Sequence, residues 1–456
     1  MTALWTSAEL RAATGGTLAA DVEVTGVSID TRSIAPGELF VALRDARDGH
    51  DFVADALEKG AAAALVDHDI PGLPQTAPLL RVADTLAGLT ALGAAGRARS
   101  AARVIAVTGS VGKTSTKEML RAILATSGTT HAAVASFNNQ WGVPLTLART
   151  PRDAAFAVIE IGMNHPGEIA PLSRLARPHV VLVTAIGAAH IGHLGSLEAI
   201  AREKGSIAEG LEPGGIAILP AESPMLPILR EAASRARILT FGEGGDARAT
   251  HIAADAEGSD IEAEILGTRL AFRLGTPGTH MAANAIAALA AASAIGADIA
   301  AGAHALAGFR ALPGRGDRRP IATSDGGTAL LLDEAYNGQP PSMRAALALL
   351  KLLPGRRRIA VLGQMGELGD FAVTEHRDLA AHLRGSADLV FACAPLMRHT
   401  IDALPPAMVG GWRETAEDLA PLVRAALRDG DTVLVKGSLA TGMKAVVRAL
   451  TGSAVA

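Results

Sequence analysis

The chain has 456 residues, 49% hydrophobic and 19% charged, which is apolar material for more than one core and not the composition of a disordered chain. Its 42 Lys and Arg against 46 Asp and Glu, with only three Trp and one Tyr, exclude the positive field and the stacking surface of a nucleic-acid binder. One cysteine, Cys393 in an apolar run, excludes an internal disulfide and a cysteine-rich zinc site.

No window holds about 18 uninterrupted apolar residues, and no leader pattern opens the chain, so a cytoplasmic protein without a membrane span is expected. Lysine is scarce: Lys59, Lys113, Lys117, Lys204, Lys351, Lys436 and Lys444 are the full set. A chain that otherwise uses Arg has reason to keep Lys where a primary amine is needed.

From Val22 to Val66 short extended stretches alternate with turns, and Phe52 to Lys59 is helical in pattern, which predicts a small α/β domain. A helical segment from Thr85 to Ala101 closes it. From Arg103 the pattern becomes βα alternation: strands at Val104–Val107, Ala155–Ile161, Val180–Thr184 and Ile216–Leu219, with a helix from Thr114 to Ala125. Continuously apolar strands separated by helices predict a parallel sheet covered on both faces. An antiparallel stretch from His251 to Leu274 leads into an Ala-rich helix from His280 to Ile295.

A linker begins near Pro313-Gly314-Arg315-Gly316-Asp317. Beyond it βα alternation restarts, with strands at Ala329–Leu332, Ile359–Leu362, Leu389–Cys393 and Thr432–Val435. The predicted fold class is therefore α/β in three domains: a small N-terminal α/β domain over 1–100, a central P-loop parallel-sheet ATPase domain over 101–312, and a C-terminal Rossmann-like domain over 313–456.

Between an apolar strand and a helix stands Gly109-Ser110-Val111-Gly112-Lys113-Thr114. Glycines let backbone N–H groups curl around phosphate oxygens, Lys113 can reach the outer phosphates, and the Thr114 hydroxyl can meet Mg²⁺. Val107 stands where a full Walker motif has glycine. Glu160 ends one strand and His190 follows the next, so a carboxylate and an imidazole could join Thr114 around a metal. Lys204 falls in a helix, where an ordinary surface lysine is the bland alternative.

These segments, with Phe137-Asn138-Asn139, Gly162-Met163-Asn164-His165, Glu203-Lys204-Gly205 and Gly278-Thr279-His280 to Asn284, occur in the order and spacing of Mur ligases. The resemblance runs from about Val24 to Leu450. Asn138 to Thr146, Gly162 to Ile169, Glu334-Ala335-Tyr336-Asn337, Leu362 to Gly369 and Val435-Lys436-Gly437-Ser438 resemble the branch of that family that adds D-alanyl-D-alanine.

The resemblance implies carboxylate activation by ATP and Mg²⁺, with UDP-N-acetylmuramoyl tripeptide and D-alanyl-D-alanine as partners of a monomer. It implies that Lys113 and Thr114 hold phosphate and Mg²⁺, that Glu160 and His190 are metal ligands, and that Lys204 is carbamylated. Asn284, Arg310, Asp333, Glu334 and Asn337 are implied as nucleotide contacts. Ser28, Asp30, Thr31, Arg32 and His50 are implied at the uridine diphosphate end, and Asn138, Asn139 and Lys436 as further substrate contacts.

Met281, Glu334 and Gln364 depart from residues frequent in the family. Two alternatives stay open here: the same engine with another substrate, as in the diamino-acid-adding Mur ligase or folylpolyglutamate synthase, and a P-loop binding module without ligase activity.

Overall fold

The computed structural model describes residues 3–134 and 136–452. Among the described residues three large sheets follow one another along the chain. The first has five strands in the order Thr17–Leu18, Leu79–Arg81, Ala63–Val66, Glu38–Val41, Gly26–Ser28. Its last four strands are parallel. The fully buried run Ala63–Val66 shows why: with both faces covered, every position must be apolar.

The middle sheet has nine strands, with Arg103–Thr108 between Val180–Val183 and Phe156–Glu160. Its three antiparallel strands, Ala247–Ala254, Ser259–Ile265 and Thr268–Leu274, lie at one edge, where the alternating sequence pattern places them. The chain leaves Arg103–Thr108 toward one side and returns on the other, so a crevice opens at the carboxyl ends of these strands. Glu160 is in register with Val107, and Val183 with Thr108. The phosphate loop, Glu160 and the segment leading to His190 therefore emerge side by side.

The third sheet has six strands, ordered Asp317–Ala322, Thr328–Glu334, Thr432–Lys436, Arg358–Gly363, Leu389–Cys393, Val409–Arg413. The first is antiparallel and at the edge, and it occupies the stretch read from sequence as linker. Polar Asp317-Arg318-Arg319 followed by Pro320, which has no N–H to donate, hides a strand that only an edge tolerates. Cys393 is buried, and burial pushes its thiol up to about 12.

The first two sheets are bolted together. Helix Thr85–Arg99 sends the buried Arg97 to the carbonyls of Ala176 and Arg177, both at 2.8 Å. Trp5 donates from Nε1 to Ala148 at 3.0 Å, and Leu145 and Ala148 share a core with Trp5, Leu10 and Leu89. Middle and third sheets also meet through an apolar cluster that joins Ile159, Val183 and Ile191 to Met343, Met365 and Leu368. Among the described residues no helix is long and apolar enough to cross a membrane.

Candidate active site

A cavity of about 480 Å³ lies where the middle sheet faces the third. One wall is the phosphate loop. Gly109 adopts φ +151, and a Cβ there would lie 1.9 Å from the Thr184 hydroxyl, so only glycine fits. Gly112 (φ +85) packs on Asn284 in the same way. Helix Lys113–Leu124 starts at Gly112 without any side-chain cap. Its first amides are thus available to an anion, with the helix dipole behind them.

Lys113 donates from Nζ to the Gly109 carbonyl at 2.7 Å. Burial holds its ammonium below the ordinary lysine range, with Glu160 pulling the other way. Thr114 donates to Glu160 Oε1 at 3.2 Å, and Asn138 Nδ2 donates to the same oxygen at 2.8 Å. Among the described residues, Glu160 Oε2 is buried with no hydrogen-bond partner. A buried carboxylate oxygen left bare costs several kcal/mol in an apolar setting, and beside the Thr114 hydroxyl it is the donor set a hard cation fits.

His190 also lines the cavity. It stands at φ +63, and its Nδ1 lies 2.5 Å from Glu367 Oε2. Lys204 is fully buried, its Nζ has no hydrogen-bond partner among the described residues, and burial together with the charge of Lys113 pushes its amine well below the ordinary range.

The opposite wall comes from the third domain. Lys436 donates from Nζ to Glu334 Oε2 at 3.0 Å and to the Asn337 carbonyl at 2.9 Å, tying three lining residues together. Ser110, Val111, Asn138, Asn139 and Asn284 line the cavity as well, and Met281 sits beside Asn284. Of the scarce lysines, Lys117, Lys204 and Lys436 are buried and Lys113 is in the cavity wall.

Two expected nucleotide contacts stand elsewhere. Arg310 is exposed and turns back onto the carbonyls of Ala307 at 3.0 Å and Phe309 at 2.9 Å. Asp333 is buried behind Glu334, accepts from the Ala335 amide at 3.1 Å, and is raised in pKa by burial. Strand alternation decides this, since neighbours in Thr328–Glu334 point to opposite faces.

Arg315 is the residue that sequence reasoning missed. It lines the cavity, stacks 3.9 Å from the Tyr336 ring centroid, and donates to Ser136 Oγ at 3.1 Å. Its only sequence signal is an Arg flanked by glycines in the linker. The guanidinium there adds a positive charge facing the phosphate loop.

None of the residues expected at the uridine end lines this cavity. Ser28 closes the strand Gly26–Ser28 and bonds to the Asp30 backbone, Asp30 and Arg32 form an exposed pair at 2.6 Å, and the Thr31 carbonyl accepts from Lys59 at 3.1 Å. His50 is buried, 2.6 Å from Asp48 through Nδ1, and accepts the Asp67 amide at 3.2 Å. His50, Asp67 and His68 bring ligand atoms within 4.8 Å of one another. Arg44 already stands there, 2.9 Å from Asp67 and 3.2 Å from His68, so the cluster is satisfied by a guanidinium.

Comparison with known proteins agrees with this architecture. Family models described as Mur ligase family, catalytic domain, Mur ligase middle domain, and Mur ligase, glutamate ligase domain match residues 23–85, 107–292 and 319–439. The chain is 37% identical over 439 residues to the UDP-N-acetylmuramoyl-tripeptide–D-alanyl-D-alanine ligase of Synechocystis, covering 95% of this chain and 93% of that protein. It is similar to crystal structures of MurF from Acinetobacter baumannii (TM-score 0.86, 32% identity, 98% and 99% of the two chains). It is also similar to MurF ligase from Thermotoga maritima in complex with ADP (TM-score 0.77, 26% identity, 93% and 96% covered). With models covering all three sheets and a relative of that identity along almost its whole length, the chain belongs to the Mur ligase family.

Proposed function

We propose that this chain is the ATP-dependent ligase that joins D-alanyl-D-alanine to UDP-N-acetylmuramoyl-tripeptide, producing the pentapeptide precursor of peptidoglycan. The observation that carries the reading is the cavity between the middle and third domains, which faces a phosphate loop with a second domain's polar wall in a chain alike from end to end to ligases of that name. In this reading residues 1–100 receive the uridine diphosphate, 101–312 hold ATP, and 313–456 present the dipeptide to a reaction completed within one chain.

The tripeptide carboxylate attacks the γ-phosphorus of ATP, and ADP leaves. The dipeptide amine then attacks the acyl phosphate, and phosphate departs. Two anions must approach in the first step, so the chain's contribution is position and opposing charge. Lys113 and Arg315 supply cations, and the uncapped amides at Lys113 and Thr114 face the phosphates. Asn284, which packs against Gly112, would contact the nucleotide.

Thr114, Glu160 and His190 would hold Mg²⁺, which would neutralise phosphate charge. Lys204 would become a carbamate, a carboxylate-like donor that only a primary amine can form; its burial, its bare Nζ among the described residues and the lowering of its amine by burial and Lys113 support this.

The test is mass spectrometry of products after incubation with ATP, Mg²⁺, bicarbonate, the UDP-linked tripeptide and D-alanyl-D-alanine. A UDP-linked pentapeptide formed only with all substrates is expected. Ligation of single amino acids or folates instead would discard the substrate, and no nucleotide turnover would discard the ligase reading.

A further inference from the structure

The loop after the third-domain strand Arg358–Gly363 reaches across to the middle domain. Glu367 holds φ +59, a left-handed backbone rare for its type, and its carbonyl accepts the Gly192 amide at 2.9 Å. Its carboxylate lies 2.5 Å from His190 Nδ1, with Gln339 Nε2 at 3.5 Å from the same oxygen. The loop is anchored beneath by the buried His376, whose Nε2 accepts the Met365 amide at 2.8 Å and whose Nδ1 then donates to Ala372 at 2.6 Å.

We propose that Glu367 is a positioning residue for His190, supplied by the third domain on docking, so that the metal site reaches its working geometry only when the two domains are together. The proposal rests on the reading of His190 as a metal ligand. An imidazole has two nitrogens, and a carboxylate held against Nδ1 braces the ring at that edge and leaves the other nitrogen, Nε2, for a cation. Both His190 and Glu367 hold a left-handed backbone where their side chains meet across the interface. Phosphoryl transfer before docking is thereby disfavoured, which protects ATP from water.

The experiment titrates Mn²⁺, followed by electron paramagnetic resonance, into the full chain with ADP bound, for the native protein, Glu367→Ala, Glu367→Gln and His190→Ala. Glu367 is 38% exposed, so its variants are expected to fold. Glu367→Ala is expected to weaken Mn²⁺ binding about tenfold or more and to lower kcat more than it raises KM for ATP. Glu367→Gln, which can still accept from Nδ1, recovers part of both. Native Mn²⁺ affinity in Glu367→Ala, with weakened affinity in His190→Ala, would overturn the proposal alone. Native affinity in His190→Ala would overturn it together with the reading of His190 as a ligand.

Discussion

Asn138 donates from Nδ2 to Glu160 Oε1 at 2.8 Å, leaving the buried Oε2 as the one bare oxygen of that carboxylate. The amide and the Thr114 hydroxyl together hold Oε1 and so set the carboxylate's orientation. Asn138→Ala is expected to cut turnover about 10–100-fold, the usual effect of losing a residue that orients a metal ligand, and to raise the Mg²⁺ requirement. Glu160→Ala should cost several orders of magnitude. ADP release measured across an Mg²⁺ series checks both, and native turnover in Asn138→Ala would contradict the geometry.

Arg315 and Arg310 offer a paired comparison. Arg315→Ala removes a cation from the cavity and is expected to slow turnover by about tenfold or more, equivalent to about 1.4 kcal/mol in the barrier. Arg310→Ala removes a surface group bonded to its own helix end and should leave steady-state rates close to native. Equal losses in the two variants would place the nucleotide differently from this cavity.

Lys204 should make the enzyme dependent on dissolved carbon dioxide. Initial rates are expected to fall in stripped buffer and to recover with bicarbonate, while Lys204→Arg stays inactive in both because a guanidinium does not form the carbamate. Rates indifferent to bicarbonate would rule out the modification.

Gly192 tests docking of the third domain. A Cβ there would lie 2.8 Å from the Gly369 amide nitrogen and 3.0 Å from the Glu367 carbonyl oxygen. Gly192→Ala is expected to hold the domains apart. Small-angle scattering with ADP and both other substrates should give a larger radius of gyration than the native chain, with lower turnover. A native scattering curve would show that the interface yields without separating.

Glu9 governs a stability effect far from the cavity. Its carboxylate caps helix Ser7–Thr14 and pairs with Arg152, and the Thr6 amide above all holds its pKa down from 4.5 to about 2. A lowered carboxylate pKa stabilises the fold above the unfolded value, and that contribution is lost as pH falls from 4.5 toward 2. Glu9→Gln should therefore be less stable than native in urea at neutral pH, with the gap closing near pH 2. A gap independent of pH would exclude the ionised group as its source.

Much of the fold was legible because its elements are locally consistent. The helix Thr279–Ala294 and the strands Arg103–Thr108 and Leu389–Cys393 are almost unbroken apolar runs bounded by turn residues. Strand Val409–Arg413 was not read, since its two glycines interrupt any apolar run, and Arg237–Phe241 mixes Arg and Thr with its apolar residues. Both are held by their neighbours in the sheet more than by their own propensity.

By itself the sequence determined the glycine turn between strand and helix, the order of the three α/β units, and that Lys113, Thr114 and Glu160 stand at the ends of neighbouring strands, because strand, glycine turn and helix follow one another within a few residues. Only the tertiary structure decided that Arg315 and not Arg310 reaches the cavity, that Asp333 points away while Glu334 faces in, and that Glu367 meets His190. The physical reason is range: a local pattern sets backbone conformation, whereas which side chains share a cavity depends on how sheets distant in sequence pack, and on which face of a strand a one-residue step selects.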